Sequence, residues 1–254
     1  MEEILNQLQE SRNNRLKRFA VLIDPDKIDN SSECLKIVNL CVENRVDYFM
    51  VGGSLMTTNN FSEIISVIKR HSTIPVIIFP GNNMQIDSAA NAILFLSLIS
   101  GRNPEFLIGQ HVVAAPVIKR TQLEVIPTGY VLIEAGNQTT AGYMSNTTPI
   151  PSDKYSIAAC TALAGEMLGL KMIYLDAGSG ADHAISQKMI STVRKSIDLP
   201  LIVGGGINNL TKAQKALEAG ADMIVVGNGI EENPDLLIGI ADKIQQMNAL
   251  SNVH

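Results

Sequence analysis

LIVGGGINNLTKAQKALEAGADMIVVGNG, residues 201–229, holds one complete structural unit. The apolar run 201–203 is short, continuous and β-branched, as a strand covered on both faces requires. It breaks at Gly204, Gly205 and Gly206. Asn208 and Asn209 then offer N-caps to a helix over 210–219, which Gly220 closes. A second apolar run, 223–226, ends at Gly227, Asn228 and Gly229. Strand, turn, helix, strand, turn is a βαβ unit, and it predicts two parallel strands.

The same grammar extends outward in both directions. Apolar runs at 19–23, 48–51, 76–79, 93–98, 130–133 and 172–175 each stop at Asp, Glu, Gly, Ser or Pro. Helical patterns lie between several of them, for example over 32–43 (Leu35, Val38, Val42) and 61–69 (Ile64, Ile65, Ile68). Eight strands in regular alternation with helices predict a (β/α)8 TIM barrel, read here as one domain over residues 1–254. One interval breaks the rhythm. Residues 81–92, between the third and fourth strands, are few and rich in Gly, Asn, Asp and Ser. The third barrel helix is therefore expected to be missing or reduced, leaving an open groove in the barrel wall.

Composition narrows the functional classes. The 254 residues are 46% hydrophobic and 18% charged, with a net charge of −5, six Phe, five Tyr and no Trp. A nucleic-acid binder usually carries a basic face with interleaved aromatics, so no nucleic-acid partner is expected. Cys34, Cys41 and Cys160 form no C-x-x-C pair and are expected as buried reduced thiols. The N-terminal stretch lacks a signal-peptide core, and the apolar run 92–99 is too short to cross a bilayer, so a cytoplasmic location is expected.

In such barrels the chemistry lies on the loops that follow the strands. Three glycine-bearing turns follow strands six to eight: 177–180, 204–206 and 227–229. Glycine lets backbone N–H groups close on one anion, and the helix N-termini that follow add favourable partial charge. These turns predict a phosphate site, to which Ser179 adds a hydroxyl. Opposite them, Asp24-Pro25-Asp26-Lys27 ends strand one and Gly52-Gly53-Ser54 ends strand two. Asp24 and Ser54 suit a Mg²⁺ site completed by substrate phosphate oxygens. On spacing alone they suit equally a turn cap and a helix cap. Asp176, at the end of strand six, is placed to accept a proton from a substrate hydroxyl, with Glu134 as a second candidate. His111 is expected on a helix after strand four. Ile78, Phe79, Phe95, Leu96 and Leu98 are candidates to line the groove.

The motifs at 19–27 (FAVLIDPDK), 51–54 (VGGS), 174–181 (YLDAGSGA), 203–207 (VGGGI) and 225–228 (VVGN) together resemble the geranylgeranylglyceryl phosphate synthase family, which includes bacterial heptaprenylglyceryl phosphate synthases. The resemblance runs over roughly residues 15–245, and the stretch 110–115 (QHVVAA) is similar to the longer-chain group of some archaea and Bacteroidetes-type bacteria. It implies a modified barrel without its third helix. It implies Mg²⁺-dependent transfer of a polyprenyl group, geranylgeranyl by the resemblance, from its diphosphate to the C3 hydroxyl of sn-glycerol 1-phosphate, with release of pyrophosphate. By the same resemblance, Asp24 and Ser54 hold Mg²⁺. Tyr174, Leu175, Asp176, Ala177, Gly178, Ser179, Gly180, Gly205, Gly206, Gly227 and Asn228 hold glycerol phosphate. A homo-oligomer and peripheral contact with the lipid product are implied too. The family usually carries Glu where this chain has Asp176, one methylene shorter, and Asp176 is taken as the catalytic base. Two other readings stay open: a sugar-phosphate isomerase using Asp24 and Glu134, and a barrel that binds a phosphometabolite without catalysis.

Overall fold

The computed structural model describes residues 3–227, 230 and 233–251. Eight parallel strands close on themselves in chain order: β1 (Arg18–Ile23), β2 (Tyr48–Val51), β3 (Val76–Ile78), β4 (Ala92–Leu98), β5 (Glu124–Leu132), β6 (Met172–Asp176), β7 (Leu201–Gly204) and β8 (Met223–Val226). Ala20 pairs with Tyr48 on one side, and Val21 with Val226 on the other, so β1 seals the barrel. Successive side chains on a strand point to opposite faces. Ala20, Met50, Ile77, Leu94, Tyr130, Tyr174, Ile202 and Val225 therefore fill the interior. Val21, Phe49, Ile78, Ile93, Val131, Leu175, Val203 and Ile224 face the helices. One expectation is corrected: Ile78 is fully buried in the helix-facing layer and does not line the groove.

The outer elements are α2 (Ser31–Glu43), α3 (Phe61–His71), α4 (Gln110–Ile118), α5 (Thr140–Ser145), α6 (Tyr155–Met167), α7 (Gln187–Arg194), α8 (Leu210–Glu218) and α9 (Pro234–Ser251). Side-chain caps set several starts. Asn30 accepts the Ser32 and Glu33 amides, Ser186 that of Met189, and Asn209 that of Lys212. One face of α3, bearing Phe61, Ile64, Ile65 and Ile68, is buried against the barrel layer. Between β3 and β4 there is no helix: residues 79–91 run as bends and turns. The shortfall in the sequence thus becomes a real opening in the helical ring.

Beneath the barrel, α1 (Glu3–Asn13) inserts Ile4, Leu5 and Leu8 into the interior cluster. The Glu124 carboxylate accepts the Ile4 and Leu5 amides at 2.8 Å each, so a negative charge meets the positive end of that helix. β5 begins at Glu124, earlier than the apolar run that starts at 130. The segment is polar and contains Pro127, which hides it from a hydrophobicity reading. It pairs with β4 from Ala92↔Glu124 onward, while pairing with β6 starts only at Thr128. Pro127 thus lies where only one side of the strand carries a ladder, and its missing N–H costs little. Cys34 and Cys41 are buried free thiols, whereas Cys160 is exposed on the outer face of α6, correcting the expectation of burial.

Candidate functional site

At the C-terminal mouth of the barrel, the turns after β6, β7 and β8 line one side of a cavity of about 520 Å³. Gly178, Ser179, Gly180, Gly205, Gly206 and Gly227 all reach it, and the side chains of Tyr174 and Asp176 form its floor. Gly205 adopts φ +78°, and a Cβ there would lie 2.7 Å from Asp176 Oδ1 and from the Gly178 nitrogen. The turn therefore admits only glycine without displacing the β6 turn beside it. Leu175 and Ala177 are buried in the helix-facing layer. By strand alternation their side chains cannot line the cavity, so any contact they make with a ligand passes through backbone. Asn228 lies outside the described residues.

Asp176 shares the inward phase of Met172 and Tyr174, which turns its carboxylate into the mouth. Oδ2 accepts the hydroxyl of Tyr130, and Oδ1 accepts the Gly178 amide at 2.8 Å. Burial pushes the Asp176 carboxyl above its ordinary pKa, while the Tyr130 hydrogen bond pulls it back down. The Tyr130 phenol is in turn driven well above its usual range by burial and by the neighbouring Asp176 charge. Tyr130 was not anticipated as a site residue. Its signal was its phase, two residues before Leu132 on the inward face, which becomes readable only when the register of β5 is known.

Across the mouth, Asp24 lines the same cavity with Gly52, Gly53 and Ser54. Asp24 caps the turn Pro25–Lys27 by accepting the Asp26 amide at 3.2 Å. Its carboxyl is also raised by burial. It lies close to the β2 turn: a Cβ on Gly53 would come within 3.0 Å of Asp24 Oδ1. Asp26 anchors this side by accepting the amides and hydroxyls of Thr57 and Thr58 at 2.6–3.0 Å. Glu134 is exposed and lines no part of this cavity. β5 ends at Leu132, and the chain turns aside to bridge Ile133 with Ile150, which carries Glu134 out of the mouth.

A second, mainly apolar groove opens where the helix after β3 is absent. Phe79, Pro80, Ile86, Leu94, Phe95, Leu96 and Leu98 line it, with Phe106, His111, Ala114 and Ile118 from the α4 side. His111 packs edge-on against Phe95 at 4.5 Å, with Nε2 3.3 Å from Ser97 Oγ. Burial lowers its pKa, so the ring is uncharged at neutral pH, in keeping with an apolar wall. A π-helical turn over Glu105–Gly109 leads into α4 and carries Phe106 into the groove. The groove and the polar cavity share Gly53, Ser54, Phe79, Tyr130 and Ala141. At this seam Phe79, Tyr130 and Tyr174 form an aromatic cluster with ring centroids 5.2–5.7 Å apart.

The arrangement thus joins a set of glycine turns, a buried carboxylate, an acidic turn and an apolar groove. Among the described residues no cluster of three or more His, Cys, Asp or Glu could cage a metal, and no helix is long and apolar enough to cross a membrane. A family model described as the PcrB family matches residues 11–247. The chain is 55% identical over 232 residues to a geranylgeranylglyceryl phosphate synthase of Spirosoma linguale, covering 91% of this chain and 93% of that one. A synthase of the same name from Chitinophaga pinensis is 51% identical over 242 residues, covering 95% and 96%. The crystal structure of (S)-3-O-geranylgeranylglyceryl phosphate synthase from Thermoplasma acidophilum in complex with sn-glycerol-1-phosphate superposes with a TM-score of 0.89 at 33% identity, covering 97% of this chain and all of that one. With a family model spanning nearly the whole chain and relatives above half identity, this chain belongs to the PcrB family.

Proposed function

We propose that the chain is a prenyltransferase of ether-lipid synthesis, which joins the C3 hydroxyl of sn-glycerol 1-phosphate to C1 of a polyprenyl diphosphate, geranylgeranyl diphosphate above all. The observation that carries this reading is the shared wall between the polar cavity and the apolar groove at Ser54, Phe79, Tyr130 and Ala141. One ligand is small and anionic, the other long and apolar, and their reacting ends must meet at that seam. The amides of the β6, β7 and β8 turns bind the glycerol phosphate and orient its hydroxyl. Asp176 accepts the hydroxyl proton as the C–O bond forms, with Tyr130 holding its carboxylate in place. The aromatic cluster offers π-faces to positive charge developing at the allylic carbon.

The polar rim fits one Mg²⁺. Asp24 presents a carboxylate from a rigid turn and Ser54 adds a hydroxyl from the adjoining one, a donor set that suits an ion completed by diphosphate oxygens. When bound there, Mg²⁺ supplies charge neutralisation for the departing diphosphate. Asp24 and Ser54 would hold it. The barrel acts as one domain in the cytoplasm, as a homo-oligomer that hands its lipid product to a membrane surface. Exposed apolar side chains on the outer elements, including Val112 and Val113 of α4 and Ile157 of α6, support such contacts.

The isomerase reading needs a second acid beside Asp24, and Glu134 is not in the cavity. The test is incubation with Mg²⁺, radiolabelled sn-glycerol 1-phosphate and geranylgeranyl diphosphate, followed by organic extraction. Label in the organic phase, lost on addition of EDTA, is the expected result. Label wholly in water, with glycerol phosphate still bound, would remove the prenyl-transfer reading and leave the binding-only one.

A further inference from the structure

The segment that replaces the missing helix is stitched to the β2 turn by one buried amide. Gln85 is 1% exposed. Its Nε2 donates to the Gly53 carbonyl at 2.8 Å, and its Oε1 accepts the Gly81 amide at 3.0 Å and the Gly53 amide at 3.4 Å. The two backbones it joins are already in close contact: a Cβ on Gly81 would fall 2.2 Å from the Gly53 oxygen and 2.9 Å from Ser54 Cα. Phe79, Pro80, Gly81 and Ile86, on the same segment, line the apolar groove. Gly53 and Ser54 line both the groove and the polar cavity and face Asp24.

We propose that Gln85 is a positioning residue that makes the wall of the apolar groove and the Gly53–Ser54 turn move as one body, so that seating the prenyl chain sets the diphosphate end against Asp24. The inference rests on the prenyl-transfer reading above. The physical basis is the cost of leaving buried polar groups unpaired. Removing the amide strands the Gly53 carbonyl and the Gly81 N–H, and the joint must open to water or shift to satisfy them. The glycerol-phosphate cup lies across the mouth, on β6 to β8, and shares no hydrogen bond with Gln85, so its affinity is left unchanged.

The test uses Gln85→Met, which keeps length and loses every hydrogen bond, and Gln85→Glu, which keeps shape. Calorimetry with Mg²⁺ measures binding of a non-hydrolysable prenyl thiolodiphosphate and, separately, of sn-glycerol 1-phosphate. Gln85→Met is expected to weaken the prenyl analogue and raise KM for prenyl diphosphate by about tenfold, leaving glycerol phosphate binding as in the wild type. Gln85→Glu is expected to be impaired at neutral pH, where a carboxylate opposes the Gly53 carbonyl. It recovers as pH falls, because the protonated acid again donates there; the wild type shows no such recovery. A folded Gln85→Met with wild-type analogue binding and turnover would overturn the inference. Should that variant fail to fold, a Gln85→Glu profile parallel to the wild type would overturn it instead. A wild type that binds glycerol phosphate but no prenyl analogue would sink the prenyl reading itself, and this inference with it.

Discussion

The two sides of the barrel mouth are built by opposite means. On the β6–β8 side, glycine turns form the wall of the cavity, and at Gly205 there is no room for a Cβ beside Asp176. On the β2–β4 side, side chains and an omission make the site. An absent helix, an aromatic seam and apolar residues from elements far apart in the chain enclose the groove. Under the proposed function the first side takes the small anion and the second the long apolar chain. Tyr130 sits where the two meet, and its hydroxyl reaches Asp176 in the polar cavity.

That contrast can be broken at graded points. The largest effect belongs to the seam. Asp176→Ala is expected to lower kcat by on the order of 10²–10⁴-fold with little change in KM for prenyl diphosphate, because proton acceptance is lost while the apolar groove remains; KM for glycerol phosphate rises only modestly, through the freed Gly178 amide. Steady-state kinetics at saturating prenyl diphosphate measures it, and full activity would dismiss Asp176 as the base. Gly205→Ala attacks the glycine-turn side and crowds the Asp176 carboxylate with it. The new Cβ meets Asp176 and the Gly178 amide at 2.7 Å on a φ of +78°, so KM for glycerol phosphate is expected to rise roughly 10²-fold, with prenyl-analogue binding retained.

Tyr130→Phe is a sharper probe of the seam. It removes the hydrogen bond that favours ionised Asp176, so the carboxyl pKa rises further. The ionised form is the active one. The acid limb of the kcat/KM profile should therefore move to higher pH, with a loss near neutrality of about tenfold. An unmoved limb would separate Tyr130 from the base. His111→Leu should do least. The imidazole acts there as an uncharged wall, so KM for prenyl diphosphate is expected to change less than about threefold, with no change in the pH profile.

The same contrast explains what was legible beforehand. The glycine turns at the mouth were readable because their information is local: strand end, glycines and helix cap follow one another within a few residues, as in 201–210. The missing helix was readable as a shortage of chain between β3 and β4. The groove was read only in part. Phe79, Phe95, Leu96 and Leu98 line it, but Ile78 is covered by the helix layer, and an apolar run buried on both faces gives no sign of which residues stay uncovered. Glu134 looked like a strand-end acid on the pattern of its neighbours, yet the Ile133–Ile150 bridge turns it away. Gln85 gave no signal at all, lying in a polar stretch that reads as loop.

Local pattern was thus enough for the barrel, its eight strands and the glycine turns at its mouth, because hydrophobic periodicity and glycine turns act over a few residues. Barrel closure alone settled the rest. The contact of Tyr130 with Asp176, the amide of Gln85 on Gly53 and the meeting of groove and cavity join residues 32 or 46 positions apart or more. Such contacts depend on strand register and on how the sheet curls shut, and no short stretch of sequence encodes either.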